Sequence, residues 1–304
     1  MSIIDHQKLT NHICDWIKNY ATNAGISTLV FNLSEDVDSA LVALLCRKTA
    51  LPMLAINTYC STFNTDYTAE LFAKDYNIPF TEVKLNSAYD NILEQCYDFI
   101  KGKSNIDNCL SGLQASLNVS VLSYAARAKN GLIIGGIDRS DGYLIRNFHK
   151  YGDGSADIFP IIDLFKSEVY DLFVYLAKEM RPTKEQEEKS IREFSIGSNY
   201  SGDVSGLPKS AIDIIQAKQN IEDIGLSYAD IEWGDREDEK TLCYYKTGII
   251  ANTNDPVRHP AWASYIGRQK TIIAKMHGLE KTSSHKIITT PRCSFRMETE
   301  GLVR

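Results

Sequence analysis

The apolar positions of the chain fall into two alternating rhythms, short continuous runs and longer stretches at helical spacing. Residues 5–22 carry Leu9, Ile13, Trp16 and Ile17 three or four apart, which predicts an amphipathic helix ending before Gly25. The run Leu29-Val30-Phe31, closed by Leu33, predicts a buried strand. At Ser34-Glu35-Asp36 it turns into a helix bearing Leu41, Val42, Leu44 and Leu45. Residues 51–57 predict a second strand, and 65–76 a helix with Tyr67, Leu71 and Phe72 on one side. Residues 80–85 predict a third strand and 88–101 another helix. A polar, turn-like stretch over 103–108 precedes a long helix at 110–129, with Leu113, Leu117, Val121, Leu122 and Ala125 facing inward. Residues 131–136 predict a short strand ending in a glycine pair, and 163–180 a helix stopped by Arg181-Pro182.

Strands without polar alternation, separated by helices, predict an α/β fold: a doubly wound parallel sheet with helices on both faces. Residues 183–210 turn first charged and then rich in Ser, Gly and Asn, as expected of a lid or insertion. Helices are predicted at 211–222 and 260–276, and the tail at 282–304 is irregular. With no internal repeat and no clear linker, a single domain over residues 1–304 is expected.

The turn after the first strand is where chemistry is expected. A helix that starts where a strand stops aims unpaired backbone N–H groups and a positive dipole end at whatever lies above it, which suits phosphate. Open α/β sheets also bind ligands beyond the carboxyl ends of their strands, which draws in the Gly135-Gly136 loop.

Composition narrows the partners. The 304 residues are 43% apolar with a formal charge of −6, which argues against a basic nucleic-acid surface. Seven cysteines, an odd number with no C-x-x-C pair, argue against a disulfide framework or a zinc site and for a reducing, cytoplasmic setting. No apolar run approaches the roughly 18 residues a membrane helix needs, so no membrane partner is expected.

Ser34-Glu35-Asp36-Val37-Asp38-Ser39 resembles the Ser-Gly-Gly-x-Asp-Ser phosphate loop of the N-type ATP pyrophosphatases, with both glycines replaced by carboxylates. The replacement removes residues that let a backbone approach pyrophosphate and tolerate positive φ. A second stretch narrows the resemblance. Phe148-His149-Lys150-Tyr151-Gly152-Asp153-Gly154, Asp157-Ile158-x-Pro160 and Asp163-Leu164-x-Lys166 together resemble NAD synthetase. So do Gly225-Leu226-Ser227-Tyr228-Ala229-Asp230-Ile231, followed by Glu232, and Ser284-His285-Lys286 near the end.

The resemblance implies the adenine nucleotide α-hydrolase-like fold, a homodimer, and an ATP-dependent, AMP-forming amide ligase. Such a ligase adenylates the nicotinate carboxylate of deamido-NAD, or a related carboxylate, and lets free ammonia displace AMP. It also implies ATP and Mg²⁺ as cofactors. Asp38 and Asp141 would be metal ligands, and Asp38, Asp153 and Lys166 the catalytic set. Ser34, Ser39, Lys150, Asp213, His285 and Lys286 would line the nucleotide sites.

This chain departs from the family pattern beyond Glu35 and Asp36. The Gly-Thr-x-Asn-x-x-Glu element reads Gly135-Gly136-Ile137-Asp138-Arg139-Ser140-Asp141, which loses the threonine and shortens the last carboxylate. A carboxylate about 4 Å from a phosphate oxygen costs on the order of 4 kcal/mol at an effective dielectric near 20. Three functions therefore stand open: the ligase, a pseudoenzyme or binding protein on the same fold, and a diverged enzyme with a rebuilt acidic metal or amine site. Plainer roles compete residue by residue: helix-capping acids at 35 and 36, a first-turn helix acid at Asp38, a structural ion pair for Asp153 and Lys166, and a surface histidine at His285.

Overall fold

The computed structural model describes residues 5–60, 67–102, 106–145, 148–181 and 202–217. Four parallel strands, β1 (Thr28–Asn32), β2 (Met53–Tyr59), β3 (Phe80–Lys84) and β4 (Gly131–Ile134), lie in the order β3-β2-β1-β4. Registers such as Leu29 against Met53 and Leu29 against Leu132 fix the centre of the sheet. Ile158 adds a single parallel bridge to Ile134 beyond β4.

The alternation of side chains across the sheet divides the core. Leu29 and Phe31 of β1, with Leu132 and Ile134 of β4, face the larger cluster; Val30 and Ile133 face the smaller one. The larger layer holds α1 (His6–Asn23), α2 (Val37–Lys48), α3 (Thr68–Asp75), α6 (Lys166–Glu179) and α7 (Lys209–Gln216). On the opposite face α5 (Ile106–Ala128) packs on β1 and β4, with α4 (Asn86–Ile100) beside it. Helix α2 is buried from Val37 to Cys46, which is why its sequence is apolar on every side.

Several boundaries differ from expectation. Helix α5 begins at Ile106, inside the stretch expected to be a turn. Residues 161–164 form a turn, and α6 begins only at Lys166. Ile161, Ile162 and Leu164 are buried as part of that turn, so apolar spacing continued past the helix start and imitated another turn of helix. Helix α3 buries Ala69, Phe72 and Ala73, whereas Tyr67 and Leu71 are exposed. Helix α7 begins at Lys209, the end of the stretch expected to be a lid. Residues 183–201 of that stretch, the expected helix at 260–276, the Gly225–Ile231 element, His285, Lys286 and the tail lie outside the described residues. None of the described helices is long and apolar enough to cross a membrane.

Candidate active site

Strand order reverses between β1 and β4, so the loops leaving their carboxyl ends part and open a crevice. From β1 comes the turn Ser34-Glu35-Asp36 leading into α2; from β4 come Gly135 and Gly136. Gly135 is sterically required, because a Cβ there would lie 2.3 Å from Phe159 Cε1 and 2.8 Å from Ala156 Cβ. A cavity of about 210 Å³ between the loops is lined by Ser34, Asp36, Asp38, Ser39, Asp141 and Asp153, among others. A second, of about 390 Å³, shares Asn32, Ser34 and Asn118 with it and extends past Glu35 to Asn57, Cys60 and Gln114.

The acidic turn is held without strain. Asp36 takes the N-cap position of α2 with φ −86° and ψ 140°, and among the described residues the non-glycine positions with positive φ are Ala50, Asn77 and Asn130. The expected loss of conformational tolerance at 35 and 36 is therefore not felt by this backbone. The Asp36 side chain makes no capping hydrogen bond, and its Oδ1 is buried without a partner. The serines do the local work instead. Ser39 Oγ donates to the Asp36 carbonyl at 2.9 Å, Ser34 Oγ accepts the Asp36 N–H at 3.3 Å, and the two hydroxyls lie 3.1 Å apart.

At the other wall, the first turn of α6 is laced to the segment after β4. The Lys166 N–H donates to Ser140 Oγ at 3.0 Å, and the Arg139 N–H to the Leu164 carbonyl at 2.7 Å. Asp138 Oδ1 accepts the Asp141 N–H at 2.7 Å, which turns both carboxylates to one side. Lys166, fully buried, extends into the space between them. Its Nζ is paired with Asp38, lies 2.9 Å from Asp138 Oδ2 and lies 2.7 Å from Asp141 Oδ2.

A lysine in the first turn of a helix opposes the helix dipole, so these carboxylates offset that placement as well as the ammonium's desolvation. Burial pushes the Asp38 carboxyl well above its ordinary value; Lys166 opposes the rise, and Asp36, Asp138 and Asp141 add to it. Burial also pushes Asp138 up to about 7, against the pull of Lys166.

The crevice thus gathers Ser34, Asp38, Ser39, Asp141, Asp153 and, buried behind them, Lys166. Lys166 pairs with Asp38, Asp138 and Asp141 rather than with Asp153. Asp153, from a short 3-10 turn at Asp153–Ser155, instead accepts the His149 N–H at 2.7 Å. Two candidates stand apart from the cavity walls. Lys150 Nζ lies 4.7 Å from the centre of the Tyr151 ring, and Asp213 accepts from Lys209 at 2.5 Å on α7. Arg139 is drawn against the Phe165 ring at 5.2 Å. The residue that sequence reasoning missed is Asp138, whose signal was its i, i+3 spacing to Asp141.

The ligand atoms of Asp38, Asp138 and Asp141 lie within 4.8 Å of one another. Asp38 Oδ1 is buried without a hydrogen-bond partner. An all-oxygen, carboxylate-rich set suits a hard divalent cation such as Mg²⁺, so these residues fit one.

Comparison with known proteins gives a family and a fold. Residues 9–186 match the family model described as NAD synthase. The NH(3)-dependent NAD(+) synthetase of Finegoldia magna is 28% identical over 173 residues, 56% of this chain and 68% of that protein. A Campylobacter jejuni protein of the same description is 27% identical over 256 residues, 82% of this chain and 92% of its own.

Solved structures share the fold. The NMN synthetase of Francisella tularensis superposes with a TM-score of 0.61 at 20% identity, covering 84% of this chain and 99% of that one. The NH3-dependent NAD synthetase of Campylobacter jejuni, in complex with nitrate, gives 0.56 at 22% identity, covering 83% of this chain and all of that one.

Proposed function

The chain belongs to the NAD synthase family, and on that premise we propose that it is an ATP-dependent, AMP-forming amide ligase that transfers ammonia to the nicotinate carboxylate of deamido-NAD or a related nucleotide. The observation that carries this reading is the convergence of Ser34, Asp38, Ser39, Asp141 and Lys166 at the switch point of the sheet, from three separate elements.

A carboxylate is a poor acyl donor, and the protein's task is to hold it in line with the α-phosphate of ATP and to neutralise the charge that develops. The first turn of α2 offers its backbone N–H groups and the Ser34 and Ser39 hydroxyls to phosphate oxygens. Asp38 and Asp141, joined by Asp138, would hold Mg²⁺, which supplies charge neutralisation at the phosphates when bound. Lys166 brings a positive charge to the same wall, and Asp153, which lines the cavity, is a candidate contact for the acceptor nucleotide. Lys150, Asp213, His285 and Lys286 stay candidates for nucleotide binding by their resemblance alone.

On α4 and α5, Tyr97, Phe99 and Tyr124 are 57%, 75% and 77% exposed, which supports pairing with a second copy of the chain. Sedimentation of a Phe99→Glu, Tyr124→Glu variant tests this: loss of a dimer supports it, and a wild-type monomer refutes it.

One observation favours a second reading. Glu35 and Asp36 each line one of the two cavities, where phosphate would meet negative charge. That placement suits a protein that binds a nucleotide without turning it over, or a site rebuilt for a cation or amine. Product analysis decides between them. With ATP, Mg²⁺, ammonium and deamido-NAD, the ligase yields AMP, pyrophosphate and NAD in equal amounts. Binding of the dinucleotide with no AMP formed would leave a binding protein, and nicotinate mononucleotide as acceptor tests the smaller substrate.

A further inference from the structure

A single ammonium pairs with three carboxylates that could instead coordinate a divalent ion, and both cannot hold the same place. Lys166 Nζ is within salt-bridge distance of Asp38, Asp138 and Asp141 at once. If all are ionised, three negative charges face one positive charge, and exchanging the lysine for a divalent cation lowers the surplus from two to one. Magnesium needs its oxygens at about 2.0–2.1 Å, so an ammonium inside the triad must withdraw before such an ion is coordinated. Like-charge repulsion acts in the same direction.

A second observation points to a ligand. Asp38, 4% exposed, keeps Oδ1 buried without a hydrogen-bond partner, and the residue lines the 210 Å³ cavity. It has one oxygen engaged by the lysine and one still to be satisfied.

We propose that Lys166 and a divalent cation occupy the Asp38–Asp138–Asp141 triad in turn. The lysine is the resident counter-ion until the cation enters, and it is then displaced toward the phosphate crevice. Asp138 is the third ligand of that site. Lys166 becomes a positioning group whose charge reaches the phosphates only once the cation is bound, so the site is not fully cationic while empty of metal. The proposal rests on reading this crevice as a cation-assisted phosphate site, but it does not require that the chain complete the ligase reaction.

The test uses Mn²⁺ without nucleotide, with free Mn²⁺ counted by electron paramagnetic resonance. Removing the competitor in Lys166→Met is expected to tighten Mn²⁺ binding roughly tenfold or more. Asp138→Asn is expected to weaken it several-fold. Equal or weaker binding by Lys166→Met, or no binding by either protein, overturns the exchange; unchanged binding by Asp138→Asn removes Asp138 from the site.

Because Lys166→Met leaves three carboxylates without a counter-ion, at a cost to folding, a second measurement uses the unaltered protein. Reductive methylation, read by mass spectrometry of the Lys166 peptide, is expected to rise several-fold when Mg²⁺ is added. Labelling that does not respond to Mg²⁺ overturns the proposal. A chain that forms AMP without this response keeps its function and loses the exchange; one that responds without forming AMP does the reverse.

Discussion

Lys166 Nζ lies 2.7 Å from Asp141 Oδ2, the lysine entering from the first turn of α6 and the aspartate from the short π-helical turn Ser140–Ile145 after β4. That contact ties the two walls of the crevice, and Asp38 extends it to α2. The partners are unequal in what their removal does. Lys166→Met strands the buried Asp38 and Asp138 carboxylates and the half-buried Asp141, and is expected to cost about 3–5 kcal/mol. Asp138→Asn removes surplus negative charge while its amide oxygen still accepts the Asp141 N–H, so the cation-free protein should lose little or gain stability. Urea midpoints in EDTA check the contrast; equal losses would contradict it.

The pH dependence of the cation-free protein follows from the same cluster. The folded chain holds the Asp138 proton up to about pH 7, whereas the ordinary carboxyl value is 3.8. Between those values the folded state binds more protons than the unfolded chain, so this group's contribution to stability falls as pH rises through the window. Asp38 is shifted in the same direction. Urea midpoints measured in EDTA across that range should decline, and Asp138→Asn should remove part of the decline. A steeper decline in the variant would contradict the assignment.

Glu35 and Asp36 would act on a bound phosphate through charge rather than through backbone shape, since neither needs positive φ. Glu35→Gln with Asp36→Asn should therefore recover most of the gain in ATP affinity that glycine at both positions gives. Each carboxylate near a phosphate is worth up to about 4 kcal/mol. Affinity measured by equilibrium dialysis checks this; a gain with glycine alone would return the effect to geometry.

Gly135 and Gly136 are adjacent but differ in what they tolerate. A Cβ on Gly135 meets Phe159 at 2.3 Å, whereas one on Gly136 meets Ser39 N at an ordinary 3.6 Å. Gly135→Ala is expected to destabilise the protein by about 1–3 kcal/mol. Gly136→Ala should leave the fold nearly unchanged. Thermal melts of the two variants make the comparison.

The sheet and its helices were legible because β1, β2 and β4 are apolar runs separated by helical spacing, a pattern that fixes both element type and layer. The crevice was legible from the strand-to-helix turn at Ser34 and the glycine pair after β4. What spacing did not reveal was the shape of two short segments. Ile161, Ile162 and Leu164 are buried in a turn, which hid the true start of α6 and with it the placement of Lys166 at a helix N-terminus. Asp138 stood inside a quoted motif, yet only the Asp141 N–H bonded to its Oδ1 turns it toward the lysine. Such contacts join residues 128 apart in sequence, as Asp38 and Lys166 are, and no local pattern encodes them.

The proposed ligase requires that this crevice receive ATP despite its two added acids. Calorimetric titration of the protein with ATP and Mg²⁺, followed by deamido-NAD, tests it most directly. ATP is expected to bind in a Mg²⁺-dependent manner and to lose that binding in Asp38→Asn. A dinucleotide that binds while ATP gives no heat and no competition would contradict it.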